Sequence, residues 1–60
     1  MVISKLQEIR KANSVSIEEL AVKTLLTSRT IENMERGKGT TLNNAKRVAK
    51  ALGVKLEEII

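Results

Sequence analysis

The stretch SIEELAVKTLLTSRTIENMERGK, Ser16 to Lys38, decides the fold. Ser16 followed by Glu19 has the form of a capping box, and Val15 is placed to staple onto Leu20, so two independent signals start a helix here. Thr27 can cap a second helix whose apolar side is Ile31 and Met34, and Gly37 stands where a left-handed residue would end it. Only Thr24 to Leu26 separate the last firm turn of the first helix from the cap of the second. So short a joint forces the two helices to cross steeply, which is helix-turn-helix geometry.

Working outward, Ser4 with Gln7 forms a further capping pair ahead of Leu6 and Ile9, predicting a helix from Ser4 to Ala12 that Asn13 and Ser14 stop. Downstream, Thr41 caps a stretch with Leu42, Ala45, Val48, Ala49 and Leu52 at helical spacing, ended by Gly53. Val54, Leu56, Ile59 and Ile60 make an apolar tail in which Glu57 and Glu58 suit the first turn of a brief last helix. There is no proline and no useful run of strand-like alternation. The expectation is an all-α, compact bundle of five short helices, forming one domain over residues 1–60 with the helix-turn-helix at about 16–36.

Sixty residues with 42% hydrophobic content can build one core but not two. No Cys, His, Phe, Trp or Tyr is present, which removes disulfides, Cys/His metal sites and base stacking on aromatic rings. With no His, Cys or Tyr available and no paired-carboxylate arrangement beside a plausible nucleophile or Gly-rich phosphate loop, no enzyme is expected. Metal, cofactor and small-molecule ligand are likewise not expected. Eleven Lys and Arg against seven Asp and Glu leave a net charge of +4, which favours a polyanionic partner. With no long apolar run and no basic-then-apolar leader, the expected location is cytoplasmic, with no membrane partner.

Ser16 to Lys38 resembles the phage repressor and Cro-type helix-turn-helix DNA-binding family (lambda-repressor-like, XRE-type), and Ala49-Lys-Ala-Leu-Gly-Val54 is similar to that family's next helix and turn. The most specific pieces are Glu19-Leu20-Ala21, Ile31, and Glu35-Arg36-Gly37-Lys38. The resemblance extends over nearly the whole chain. It implies a transcriptional regulator whose second helix-turn-helix helix reads double-stranded DNA in the major groove, with Ser28, Arg29 and Asn33 at base-reading positions. Arg suits guanine O6 and N7, and Asn suits adenine N6 and N7. By helical projection Arg29, Asn33 and Arg36 face outward, flanked by Ser28 and Glu32, while Ile31 and Met34 face in. Glu32 is expected to pair with Arg29 or Arg36. The sugar–phosphate backbone is assigned to Thr27, Arg36, Lys38, Thr40, Thr41 and Asn43, with Asn44 beside them, because a polar loop leading into a helix N-terminus favours phosphate oxygens. A plain connecting loop is the alternative for that segment.

Arg10 and Glu35 both lie near the buried sides of their helices and are expected to meet as a structural pair, outside the DNA contacts; the resemblance implies such a pair as well. Two positions depart from the family. Leu25 stands where a Gly is usual, and a left-handed Leu costs roughly 1–2 kcal/mol, predicting a reshaped turn. Ile17 stands where a backbone-contacting Gln is common, and reads either as a core-edge residue or as a contact to a partner protein. Lys46, Arg47 and Lys50 on the outer side of the fourth helix read as a solubilising face. Leu56, Ile59 and Ile60 either complete the core or pack against a second copy across a two-fold axis. A chain of this length leaves no room for a separate dimerisation or sensing domain, so the expected subtype is a Cro-like repressor or small control regulator. It would bind a palindromic operator as a homodimer, nucleoid-associated through its DNA. The competing reading is a protein-interaction module on the same fold, antitoxin-like or regulator-binding, with weak or no specific DNA binding.

Overall fold

The computed structural model describes all of residues 1–60 and contains five helices: α1 (Leu6–Ala12), α2 (Ile17–Thr24), α3 (Ser28–Glu35), α4 (Leu42–Leu52) and α5 (Leu56–Ile59). Side-chain caps set three of the starts. Ser16 Oγ accepts from the Glu19 amide (3.0 Å), Thr27 Oγ1 from the Thr30 amide (3.1 Å) and Thr41 Oγ1 from the Asn44 amide (3.2 Å). Each cap residue is extended, with ψ between 156° and 162°, which leaves its side chain free to turn back onto the helix. Only half of the expected box forms at α2, because the Glu19 carboxylate lies 3.6 Å from Lys23 Nζ instead. At α5 the opposite half forms: the Lys55 amide donates to Glu58 Oε2 (2.7 Å).

The start of α1 differs from the sequence expectation. Ser4 does not cap it; the helix begins at Leu6, behind Lys5, without a side-chain cap. The tail is the reason. The Lys5 amide donates to the Ile59 carbonyl (2.9 Å) and the Leu6 amide to the Ile3 carbonyl (3.2 Å), so backbone acceptors fix Ser4 and Lys5 in a turn and the helix starts only at Leu6.

Four helices end in the same way, with paired 6→1 and 5→2 backbone hydrogen bonds closing around a left-handed residue. In α2 the Leu26 amide reaches the Ala21 carbonyl (3.1 Å) and the Leu25 amide the Val22 carbonyl (3.4 Å); after α3, Lys38 bonds Asn33 (3.1 Å) and Gly37 bonds Met34 (3.2 Å). The left-handed residues are Ser14, Leu25, Gly37 and Gly53, with φ of 56°, 61°, 87° and 70°. The turn between α2 and α3 is therefore not reshaped: Leu25 takes up the strained conformation, and the geometry of the motif is kept.

One apolar cluster lies where the helices meet: Ile3, Leu6, Leu20, Ala21, Ile31, Met34, Ala45, Val48, Ala49, Leu52 and Ile59. Ile17 packs on its edge, as the core-edge reading predicts. Ile59 is completely buried within the chain, which favours the core over the dimer contact among its two readings; it closes the core over α1 and α4. Leu56 is half-buried against the same cluster, and only Ile60 remains substantially exposed.

Arg10 and Glu35 meet as expected. Arg10 Nε and Nη2 donate to the two carboxylate oxygens of Glu35 (2.5 and 3.2 Å), and Nη1 donates to the Val15 carbonyl (2.9 Å). The hydrogen bond to Glu35 raises the Arg10 guanidinium above its already high ordinary value, burial opposes this, and the charge of Glu35 adds to the rise. Because the shift lies wholly on the alkaline side, the pair keeps its cation throughout the pH range in which the protein is handled. Removing one partner strands a desolvated charge. Glu35→Ala is expected to cost about 3 kcal/mol of stability in urea unfolding, against under about 0.5 kcal/mol for Lys23→Ala in the exposed pair on α2; similar losses for both would show that the buried pair carries no special weight. Leu25→Gly should raise stability by about 1 kcal/mol by relieving the left-handed strain, and an unchanged or lower urea midpoint would refute that account.

Candidate nucleic-acid interface

The buried stripe of α3, Ile31 and Met34, fixes which side of the helix faces away from the core. Arg29, Glu32 and Arg36 are exposed on the opposite side, with Ser28, Thr30 and Asn33 half-buried along its borders. Glu32 makes no ion pair; the two ion pairs present are Arg10–Glu35 and Lys23–Glu19. An exposed carboxylate gains little from holding a long, mobile arginine in one geometry, so the expected pairing with Arg29 or Arg36 does not form.

Beyond α3 the chain turns at Gly37 and runs through Lys38, Gly39 and Thr40 to the cap of α4. A reciprocal backbone pair holds this loop. The Thr40 amide donates to the Met1 carbonyl (2.7 Å), and the Met1 nitrogen donates to the Thr40 carbonyl (2.9 Å). Between the loop and α3 lies an open cleft of about 280 Å³, lined by Thr30, Asn33 and Met34 on one side and by Lys38, Gly39, Thr40, Thr41 and Asn44 on the other. The α4 N-terminus opens at its edge: Thr41 satisfies the Asn44 amide, while the amides of Leu42 and Asn43 carry no intramolecular bond. Free amides and the positive end of the helix dipole make that edge favourable to an anion.

The structure thus gathers Asn33, Lys38, Thr40 and Thr41 around one cleft. Ser28 and Arg29 stand on the first turn of α3, outside the cleft, next to the cap residue Thr27, and Arg36 stands at its far end. Asn43 does not line the cleft; Asn44, one position and about 100° further round α4, does. Thr30 was not singled out from the sequence, although it precedes Asn33 by three residues and so shares its side of the helix. Its hydroxyl lies 2.9 Å from that of Thr27, which ties the cap to the cleft wall.

No group of three or more acidic, His or Cys side chains is close enough to hold a metal ion, and no helix is long and apolar enough to cross a membrane.

Comparison with known proteins groups the chain with DNA-binding helix-turn-helix regulators. A model of the helix-turn-helix family matches residues 6–59. Among solved structures, the chain is similar to the restriction-modification controller protein C.AhdI from Aeromonas hydrophila, with a TM-score of 0.89 and 31% sequence identity over 95% of this chain and 88% of that one. No curated protein sequence matches the chain.

The backbone pair at Thr40 makes a direct prediction about the loop. In native-state hydrogen exchange the Thr40 amide should be protected, while Gly39 and Thr41, whose amides have no partner, exchange freely. Equal rates for all three would mean that the loop is not anchored to the N-terminal segment.

Proposed function

Because the chain belongs to the helix-turn-helix family, as a DNA-binding transcriptional regulator and not an enzyme, we propose that it recognises a palindromic operator as a homodimer, with α3 in the major groove. The observation that carries this reading is the exposed face of α3. Arg29 and Asn33 project from a helix whose orientation is anchored from behind by Glu35, beside a cleft whose other wall offers Lys38, two threonine hydroxyls and the free amides of α4. Side chains on the helix read base edges, and the loop and helix terminus hold phosphates and set the register.

In this arrangement Ser28, Arg29 and Asn33 meet the bases. Thr27, Arg36, Lys38, Thr40 and Thr41 meet the backbone, and Thr30 and Asn44 join them through the cleft. Leu56 and Ile60 remain for the contact between two copies, since Ile59 is occupied in the core. A two-fold axis there would set the recognition helices about 34 Å apart, one turn of duplex. The likeness to a restriction-modification controller favours a small control regulator, one that acts by occupying a promoter.

Selection from random duplexes at near-physiological salt tests the reading, and an enriched palindrome with half-sites about one helical turn apart is expected. Repeating the selection with Arg29→Ala and with Asn33→Ala should relax the sequence at one position each, by about 1–3 kcal/mol of discrimination. Lys38→Ala should weaken every duplex alike and lower the salt slope by about one unit. Absence of any enriched sequence, or equal uniform losses in all three variants, would overturn it.

A further inference from the structure

Leu25 carries a cost that nothing within the chain repays. Its backbone is held left-handed, at φ 61°, where Gly would be unstrained. Its side chain is 86% exposed, so no burial offsets that strain, and Val22, one turn before it, is 76% exposed. Leu25 is also the point where two surface depressions join. On one side an apolar shelf runs over Ala21, Val22 and Leu26, with Glu18 and Ser28 at its rim. On the other is an open trough of about 550 Å³ between the end of α2 and α4, lined by Lys23, Thr24, Leu25, Arg47, Lys50 and Ala51.

Half of the trough's lining residues are cations and none is an anion. Lys23 shares its charge with Glu19 at 3.6 Å, while Arg47 and Lys50 form no ion pair. No residue of α3 or of the loop after it lines this trough, so the trough is separate from the face that meets DNA in the preceding proposal, and only Ser28, at the rim of the shelf, borders both. A purely solubilising face would need the lysines and the arginine but not the exposed Leu and Val beside them. Phosphate oxygens would likewise gain nothing from the apolar shelf.

We propose that the Lys23–Leu25–Arg47–Lys50 surface docks an acidic segment of a partner protein, one that sets apolar side chains on Val22 and Leu25 and carboxylates against the three cations. Charge complementarity selects the sign of the partner, and the exposed apolar pair selects a peptide over a nucleic acid. The strain at Leu25 is then offset in the complex, where its side chain becomes buried.

The test uses the full chain and a synthetic peptide in which Asp and Glu residues flank two leucines. A control peptide has both leucines replaced by serine. In an isotope-labelled titration, the leucine peptide should shift the signals of Val22, Thr24, Leu25 and Ala51. Leu25→Gly, which keeps the turn, should weaken that binding by about tenfold or more, as should the double variant Arg47→Gln, Lys50→Gln. Both variants should keep affinity for the selected duplex within about twofold at physiological salt, where charges more than roughly 8 Å apart are largely screened. Equal binding of the serine peptide, or no effect of Leu25→Gly, would reduce the trough to a diffuse basic surface and overturn the proposal. Loss of duplex affinity in the double variant would overturn it too, by assigning the cations to phosphates. The duplex selection is read independently, so either reading can fail without the other.

Discussion

The Arg10–Glu35 ion pair is the interaction on which the arrangement of the other elements depends. One guanidinium joins three pieces of chain: α1, which carries it, the Val15 carbonyl in the turn leading to α2, and Glu35 on the last turn of α3. A charge withdrawn from water is tolerated only when its hydrogen bonds are made, and here no buried side-chain polar atom is left without a partner. Apolar contacts alone would permit α3 to slide or roll against α1 at small cost. A fork of donors meeting two carboxylate oxygens does not. The outward direction of Arg29 and Asn33 follows from that, since they share α3 with the residue that is held.

The second constraint is economy at the helix ends. With sixty residues the core is small, and the margin of stability for a chain this size is a few kcal/mol. Short helices have a large share of their amides and carbonyls in terminal turns, so caps decide whether they form at all. Three side-chain caps at the starts and four left-handed closures at the ends answer that need. Gly fills two of the closures without strain, whereas Ser14 and Leu25 fill the others against the preference of an L residue. Of these, Leu25 also exposes a large apolar side chain. That uncompensated strain beside an exposed apolar side chain sets the α2–α3 turn apart from the rest of the surface and marks a candidate partner-binding face next to the one proposed to meet DNA.

The side proposed to face DNA is built from two kinds of element. A rigid helix presents Arg29 and Asn33, while the loop from Gly37 to Thr41 supplies hydroxyls, a cation and free amides. The loop is kept in place by its backbone pair with Met1, so the cleft between helix and loop has defined walls. In the proposed complex, specific reading of bases falls to the helix and general grip on phosphates to the loop.

Much of this was legible in the amino-acid sequence because the signals are local. Ser16, Thr27 and Thr41 lie three residues from the amides they cap, Gly37 and Gly53 lie just past the stripes they end, and the apolar residues of α2, α3 and α4 recur at three and four. Arg10 and Glu35 were identifiable as partners by their nearness to buried faces. What only the tertiary structure decided depends on residues far apart in the chain. The Ile59 carbonyl, arriving at Lys5, fixes the turn ahead of α1 where a Ser4 cap was expected, and the same packing buries Ile59 while leaving Ile60 outside. The choice of Asn44 over Asn43 for the cleft follows from how α4 rolls onto the core, and the inclusion of Thr30 from where the loop lies across α3. Leu25 shows the limit most clearly: residue preference argues for a reshaped turn, but the packing of α2 against α3 and α4 leaves one path for the chain, and Leu25 follows it.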